Sequence, residues 1–341
     1  MPQDESTGTF PERGGGPKKT LKIAAMIAAA AVAFALSTVT AGLGRVNVAV
    51  SFVCFTAAAV IMTFLFLHVR SAAVLIPPAV AIAAALALRG DVLTTLIAAS
   101  LILVLAGTAA LMLLKRAAPF IIFLTLTALY FGATAFFAVA ALRSSFGSVS
   151  AGIGEIRKAV AAAVSDVLAN MNASGALTEL GADSGSLGEA VFALFPSAVM
   201  IFSMIASAVH TGILKLLTRA AGTRDLLFAE KLSTPVPFAV IFIVTIVLSF
   251  LSGTIPPPGS YVIVNLHFIL MTYFAGIGFL ELVRTILRSR LTAGKKTAAI
   301  AVVVTAVAFG WFAFAVFFPV LLPVLSYFGV FRTVKNRKRA G

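Results

Sequence analysis

Apolar residues dominate this chain in long runs closed by one or two charges. Charge-free stretches lie between Lys22 and Arg45, Arg45 and Arg70, Arg70 and Arg89, Asp91 and Lys115, and Arg116 and Arg143. Others separate Glu189 from Lys215, Lys231 from Glu281, and Lys296 from Arg332. A helix needs roughly 20 apolar residues to cross a hydrocarbon core about 30 Å thick. The pattern predicts an all-α fold, a polytopic transmembrane helical bundle of about 8–10 spans. The predicted spans are 23–43, 46–67, 71–88, 92–114, 117–142, 190–213, 236–255 and 261–281. Of these, 71–88 is short and carries Pro77 and Pro78. As one helix, 297–331 would be about 52 Å long, too long for a single crossing. Gly310, Pro319 and Pro323 interrupt it, so a hairpin of two short spans turning near Gly310–Ala315 is expected.

Charge orients the thread. With both termini cytoplasmic, 21 of the 26 Lys and Arg lie on the cytoplasmic side. Four precede the first span, Arg70, Lys115 and Arg116 follow, and 215–231, 284–296 and 332–341 hold the rest. Arg45, Arg89, Arg143, Arg157 and Lys158 fall outside. A single final span would strand Arg332, Lys335, Arg337, Lys338 and Arg339 externally, against the positive-inside bias. Residues 23–43 are longer than a signal-peptide core of about 7–15 residues and read as the first span.

The expected organisation is a disordered cytoplasmic tail (1–20), a first membrane half (21–143), an external segment (144–189), a second membrane half (190–331) and a basic cytoplasmic tail (332–341). In the external segment Ile153, Ile156, Val160, Val164, Val167 and Met171 recur at helical spacing, opposed by Glu155, Lys158 and Asp166. That predicts an amphipathic helix lying on the membrane or capping the bundle. The Gly/Ser/Ala-rich stretch 173–189 reads as a mobile link.

Composition changes the picture in three ways. At 60% hydrophobic and 11% charged, with mean hydropathy +1.08, most of the chain requires lipid as its solvent. The net charge of +14 is then a topology signal of a multi-pass plasma-membrane protein rather than a nucleic-acid footprint. A single cysteine, Cys54, excludes an internal disulfide and any paired-Cys zinc site. No P-loop, H-E-x-x-H or G-x-S-x-G motif occurs, so neither ATP binding by a P-loop nor hydrolase chemistry is indicated. No enzyme activity, metal or cofactor is expected.

Polar groups inside spans are costly and therefore informative. In 190–213, Pro196, Ser203, Ser207 and His210 share one helical face, able to line a solute path. The competing expectation is that the serines bond locally or to a neighbouring helix and His210 sits at the cytoplasmic interface. In 261–281, Asn265, Thr272 and Gly276 share one face while His267, Gly278 and Glu281 share the opposite one. Polar groups on both sides place this helix centrally. Asn265 and His267 are the candidates for a ligand or proton contact, with an interhelical hydrogen bond as the alternative. Glu281, one turn from Arg284 and Arg288, reads as an interfacial ion pair. Tyr261, Trp311 and Tyr327 are expected interface anchors.

From Ala190 onward the sequence resembles the YybS-like family of multi-pass bacterial membrane proteins. The stretches that carry the resemblance are FPSAVMIFSMIASAVHTGILKLLTR (195–219), PVPFAVI (235–241), NLHFILMTYFAGIGFLELV (265–283) and LLPVLSYFGVFRTVKNRKR (321–339). Residues 46–143 share only the span layout of that family's first half, which is itself similar to the substrate-capturing membrane subunits of energy-coupling-factor transporters. Where the family often has an Asp soon after the C-terminal Gly, this chain reads Gly329-Val330-Phe331-Arg332. The resemblance implies architecture and a bacterial membrane location, and names no substrate.

The functional expectation is a small-solute transporter, or the substrate-binding membrane subunit of one, with a solute or ion path past Asn265, His267, Thr272, Ser203, Ser207 and His210. Its partners are the lipid bilayer and a separate energising or cytoplasmic protein, not nucleic acid. The alternative is a non-transporting scaffold in envelope or cell-division machinery.

Overall fold

The computed structural model describes residues 24–33, 35–36, 48–69, 72–87, 92–172, 184–220, 234–312 and 320–338, and among these there is no strand. The helices are α1 (Ala24–Ala33), α2 (Val48–His68), α3 (Ile76–Ala87), α4 (Val92–Leu114), α5 (Pro119–Phe146) and α6 (Val149–Asn172). They continue with α7 (Ser184–Ala193), α8 (Phe195–Ala220), α9 (Val236–Phe250), α10 (Gly259–Arg288), α11 (Ala293–Phe312) and α12 (Leu322–Lys338). Four stretches among the described residues are long and apolar enough to cross a membrane: Leu93–Leu114, Pro119–Phe146, Phe195–Thr218 and Gly259–Arg288. Among its described residues the chain is thus all-helical, with four helices of the length and apolarity of membrane spans.

Local chemistry sets the helix ends. Pro119 opens α5, where its missing N–H has no intrahelical partner to lose. Gly147 closes the same helix at φ 74°, its N–H donating to the Arg143 carbonyl at 3.0 Å. That left-handed cap favours a residue without a Cβ.

Several boundaries differ from those predicted. The stretch 71–88 forms a 3₁₀ turn, Ala72–Leu75, leading into the 12-residue α3, about 18 Å long and short of a crossing. Pro77 and Pro78 fall in its first turn, where the helix tolerates them. Helix α9 stops at Phe250 after 15 residues, not at 255. The span expected at 190–213 breaks at Leu194, so the long helix begins at Phe195. The stretch read as a link is helical in its described part, because α7 takes in 184–193. Helix α12 takes in 332–338 of the expected basic tail. Helix α11 continues through Gly310 to Phe312, into the turn expected near Gly310–Ala315; the rest of that turn, the N-terminal tail, the first span's end and 173–183 lie outside the described residues.

The chain divides into two compact units. In the unit formed by the described residues up to Lys115 with Ile213 to Ala220, α2 and α4 pack through small residues. Ala58 and Ala59 of α2 and Ala98, Ala106 and Ala109 of α4 are buried, which lets backbones approach closely. The buried hydroxyls of Thr56 and Thr63 donate to the Phe52 and Ala59 carbonyls of their own helix at 3.0 and 2.7 Å. Neither leaves an orphaned polar group in the apolar contact.

The other unit holds α5 to α7, α8 as far as Gly212, and α9 to α12. Its core is Phe120, Ala239, Phe242, Leu270, Met271, Tyr273, Phe274, Ala275 and Leu322. Helix α10 runs through it, packed against both α9 and α12, the central position its two polar faces predict. A Cβ on Gly278 would collide with the Leu325 carbonyl, and a Cβ on Gly329 with the Phe274 carbonyl. Here α10 and α12 meet backbone to backbone. The contacts are reciprocal, and Leu322 joins the cluster around Leu270–Ala275. The glycine contacts set the level of the two helices, and Leu322 in the Leu270–Ala275 cluster sets the direction: α12 runs alongside the C-terminal half of α10 in the same sense.

Helix α6 is amphipathic as predicted. Ile156, Val160 and Val164 are half-buried, whereas Glu155, Lys158 and Asp166 are exposed. Ile153, assigned to the apolar face, is exposed as well. Gly152 lies against Leu142 and Phe146 of α5, and Gly188 of α7 against the Ala161 backbone. Arg157 pairs with Glu189 at 3.2 Å and covers the Phe192 ring at 5.0 Å, joining α6 to α7. Glu155 accepts from Lys158 at 2.8 Å and raises its pKa above the usual lysine value.

Candidate functional site

The six predicted site residues fall into separate surroundings rather than one cavity. Ser203, Ser207 and His210 are fully buried on α8, and Ala206 between them is also buried. Ser203 donates to the Val199 carbonyl of its own helix at 2.8 Å. Ser207 instead donates across to the Phe123 carbonyl of α5 at 3.1 Å. His210 is enclosed by protein. Its Nδ1 shares a 2.8 Å hydrogen bond with the Tyr130 hydroxyl, the two rings meeting edge to face at 5.9 Å. An apolar interior leaves the imidazole no water to bond, so the phenol satisfies it.

Asn265 bridges three elements. Its Oδ1 accepts from the Ser197 N–H at 2.9 Å, and its Nδ2 donates to the Ala193 and Tyr261 carbonyls, each at 2.8 Å. Ser197 lies in the first turn of α8, where N–H groups have no intrahelical acceptor. Ala193 ends α7, where carbonyls lack donors. One amide on α10 therefore caps both sides of the break at Leu194. This is the interhelical bond held out as its alternative role, and it uses three of the four hydrogen-bonding positions of an asparagine.

His267 differs from these. It is half-buried and stacks on Phe242 of α9 at 5.7 Å and 10°. Its one hydrogen bond among the described residues is a 3.5 Å contact with Thr245, at the outer limit for such a bond. Thr245 already donates to the Phe242 carbonyl at 2.7 Å. The imidazole thus keeps hydrogen-bonding capacity. Thr272 is half-buried on α10 and bonds none of the described residues. Glu281 forms the expected ion pair with Arg284.

Tyr130 and Thr245 carry contacts that the sequence reading did not single out. A lone tyrosine within the apolar run 117–142 was the available signal, since a buried phenol needs a partner. Nothing in the sequence marks Thr245. No group of three His, Cys, Asp or Glu able to hold a metal ion occurs among the described residues.

If the Tyr130–His210 bond stabilises the α5–α8 contact, Tyr130→Phe should lower the unfolding free energy in detergent by about 1 kcal/mol. A double-mutant cycle with His210→Leu should return a coupling of similar size. Strict additivity of the two variants would show that the bond contributes nothing.

Compared with protein-family models, with curated proteins and with solved structures, the chain matches none.

Proposed function

We propose that this chain is a multi-pass plasma-membrane protein that handles a small solute, as a transporter or as the substrate-binding membrane subunit of one. The observation that carries this reading is His267: a half-buried imidazole on the central helix, backed by the Phe242 ring, with hydrogen-bonding capacity its neighbours do not take up. An aromatic wall with one or two polar groups is the usual make-up of a small-molecule site. Ser203, Ser207, His210 and Asn265 have defined partners within the protein and Thr272 lies on the other face of α10, so the site contracts to His267. The YybS-like pattern of 195–339 and the absence of a P-loop are consistent with a subunit driven by an ion gradient or by a separate energising protein. The reading includes cytoplasmic termini and no catalysis.

Thermal unfolding of the purified protein against a panel of vitamins, amino acids and nucleobases tests it. At least one solute should stabilise the wild type, and His267→Ala should abolish that stabilisation while leaving the solute-free midpoint within about 2 °C. No stabilising solute, or a shift that survives His267→Ala, would overturn the proposed site.

One observation favours the scaffold reading: most of the polar candidates are committed to helix packing. A scaffold would lose a partner protein on Lys335→Glu and Arg337→Glu, with no solute-dependent change at all.

A further inference from the structure

Because α10 and α12 run the same way from the Gly278–Gly329 contact, residues equally far beyond each glycine lie at one level. Three residues on are Glu281 and Arg332; six on are Arg284 and Lys335. Arg288 follows at the end of α10. Two sets of cations far apart in sequence therefore gather at one end of a single helix pair.

Among the described residues, little at that end neutralises them. Glu281 is the one acidic residue on either helix, and Arg284 pairs with it. Lys296 donates to the Leu287 carbonyl at 2.8 Å. Arg332 has a buried Nε without a hydrogen-bond partner, and its guanidinium stands over the Phe328 ring at 5.0 Å. Lys335 stands over Phe331 at 5.7 Å. Aromatic faces hold both cations in place, but neither ring supplies an anionic oxygen. The Nε is closed to an outside ligand, but the terminal guanidinium nitrogens of Arg332 are not buried, and phosphate oxygens match guanidinium donors well.

The same helices expose Leu280, Leu287, Tyr327 and Phe331. Acyl chains would lie against such a surface, with the headgroup at the level of the cations. We propose that this end of the α10–α12 pair binds a phosphate anion, namely the headgroup of an anionic phospholipid, with Arg332 and Lys335 as its principal contacts.

The test is thermal unfolding of the full chain in neutral detergent with added phosphatidylglycerol, phosphatidylcholine or inorganic phosphate. Phosphatidylglycerol should raise the midpoint by about 4 °C, phosphatidylcholine by none, and 1 M NaCl should remove the gain. Arg332→Gln with Lys335→Gln should abolish the shift; Lys335→Gln alone, should the double variant not fold, should at least halve it. Equal shifts with the two lipids, or a shift unchanged in the variants, would overturn the site. An equal shift with inorganic phosphate would overturn the lipid as its source.

Discussion

Replacing Gly278 by alanine will lower the unfolding free energy in detergent by about 3 kcal/mol, whereas Gly276→Ala on the same helix will leave it unchanged or raise it. The two glycines are two residues apart and face different surroundings. A Cβ at 278 meets the Leu325 carbonyl and the Gly329 backbone, which are not free to step aside, while a Cβ at 276 meets nothing within 4 Å. Helix propensity alone would favour both substitutions by up to about 1 kcal/mol, so only the close approach of α12 separates them. Gly329→Ala should match Gly278→Ala. Because both remove the same contact, the double variant should cost less than the sum of the two. Equilibrium unfolding of the four variants decides the matter. A Gly278→Ala protein as stable as wild type would mean that α10 and α12 do not meet as described.

The second large effect is expected at Asn265. Asn265→Ala removes three hydrogen bonds and leaves the Ser197 N–H and the Ala193 carbonyl without partners at the break between α7 and α8. A buried group left unsatisfied costs about 1–3 kcal/mol, and interhelical bonds in membrane proteins are worth up to about 2, so a loss near 2 kcal/mol is expected. Asn265→Asp should be worse: it keeps an acceptor for Ser197 but sets a carboxylate against two carbonyls. The local readout is hydrogen exchange at Ser197, which should speed up strongly in both variants. Unchanged protection there would show that the amide does not cap α8, whatever the global stability does.

These two sites also mark how far the sequence could be read. The apolar runs place α4, α5, α8 and α10 because a lipid-crossing helix needs length and freedom from charge, both properties of one segment. The period of Ile156, Val160 and Val164 gives α6 for the same reason. The break at Leu194 is different: neither Leu194 nor Phe195 signals it, and it is held by an amide about 70 residues away in sequence. Glycine and serine in 184–189 argue for a link, yet Gly188 is where α7 comes close to the backbone of α6. His210 illustrates the same limit. Spacing gives its helical face, but only the fold brings up Tyr130. Faces are legible from period; partners are not.

Helix α9 is about 22 Å long at 15 residues, some 8 Å less than an ordinary hydrocarbon core. If α9 crosses, as the proposed multi-pass reading requires, lipid beside it must thin or let its headgroups dip inward. A fixed transmembrane voltage across a thinner slab means a steeper gradient, concentrated next to Thr245 and His267. On that reading, an ion entering there would feel more driving force per ångström than one beside a full-length span such as α10.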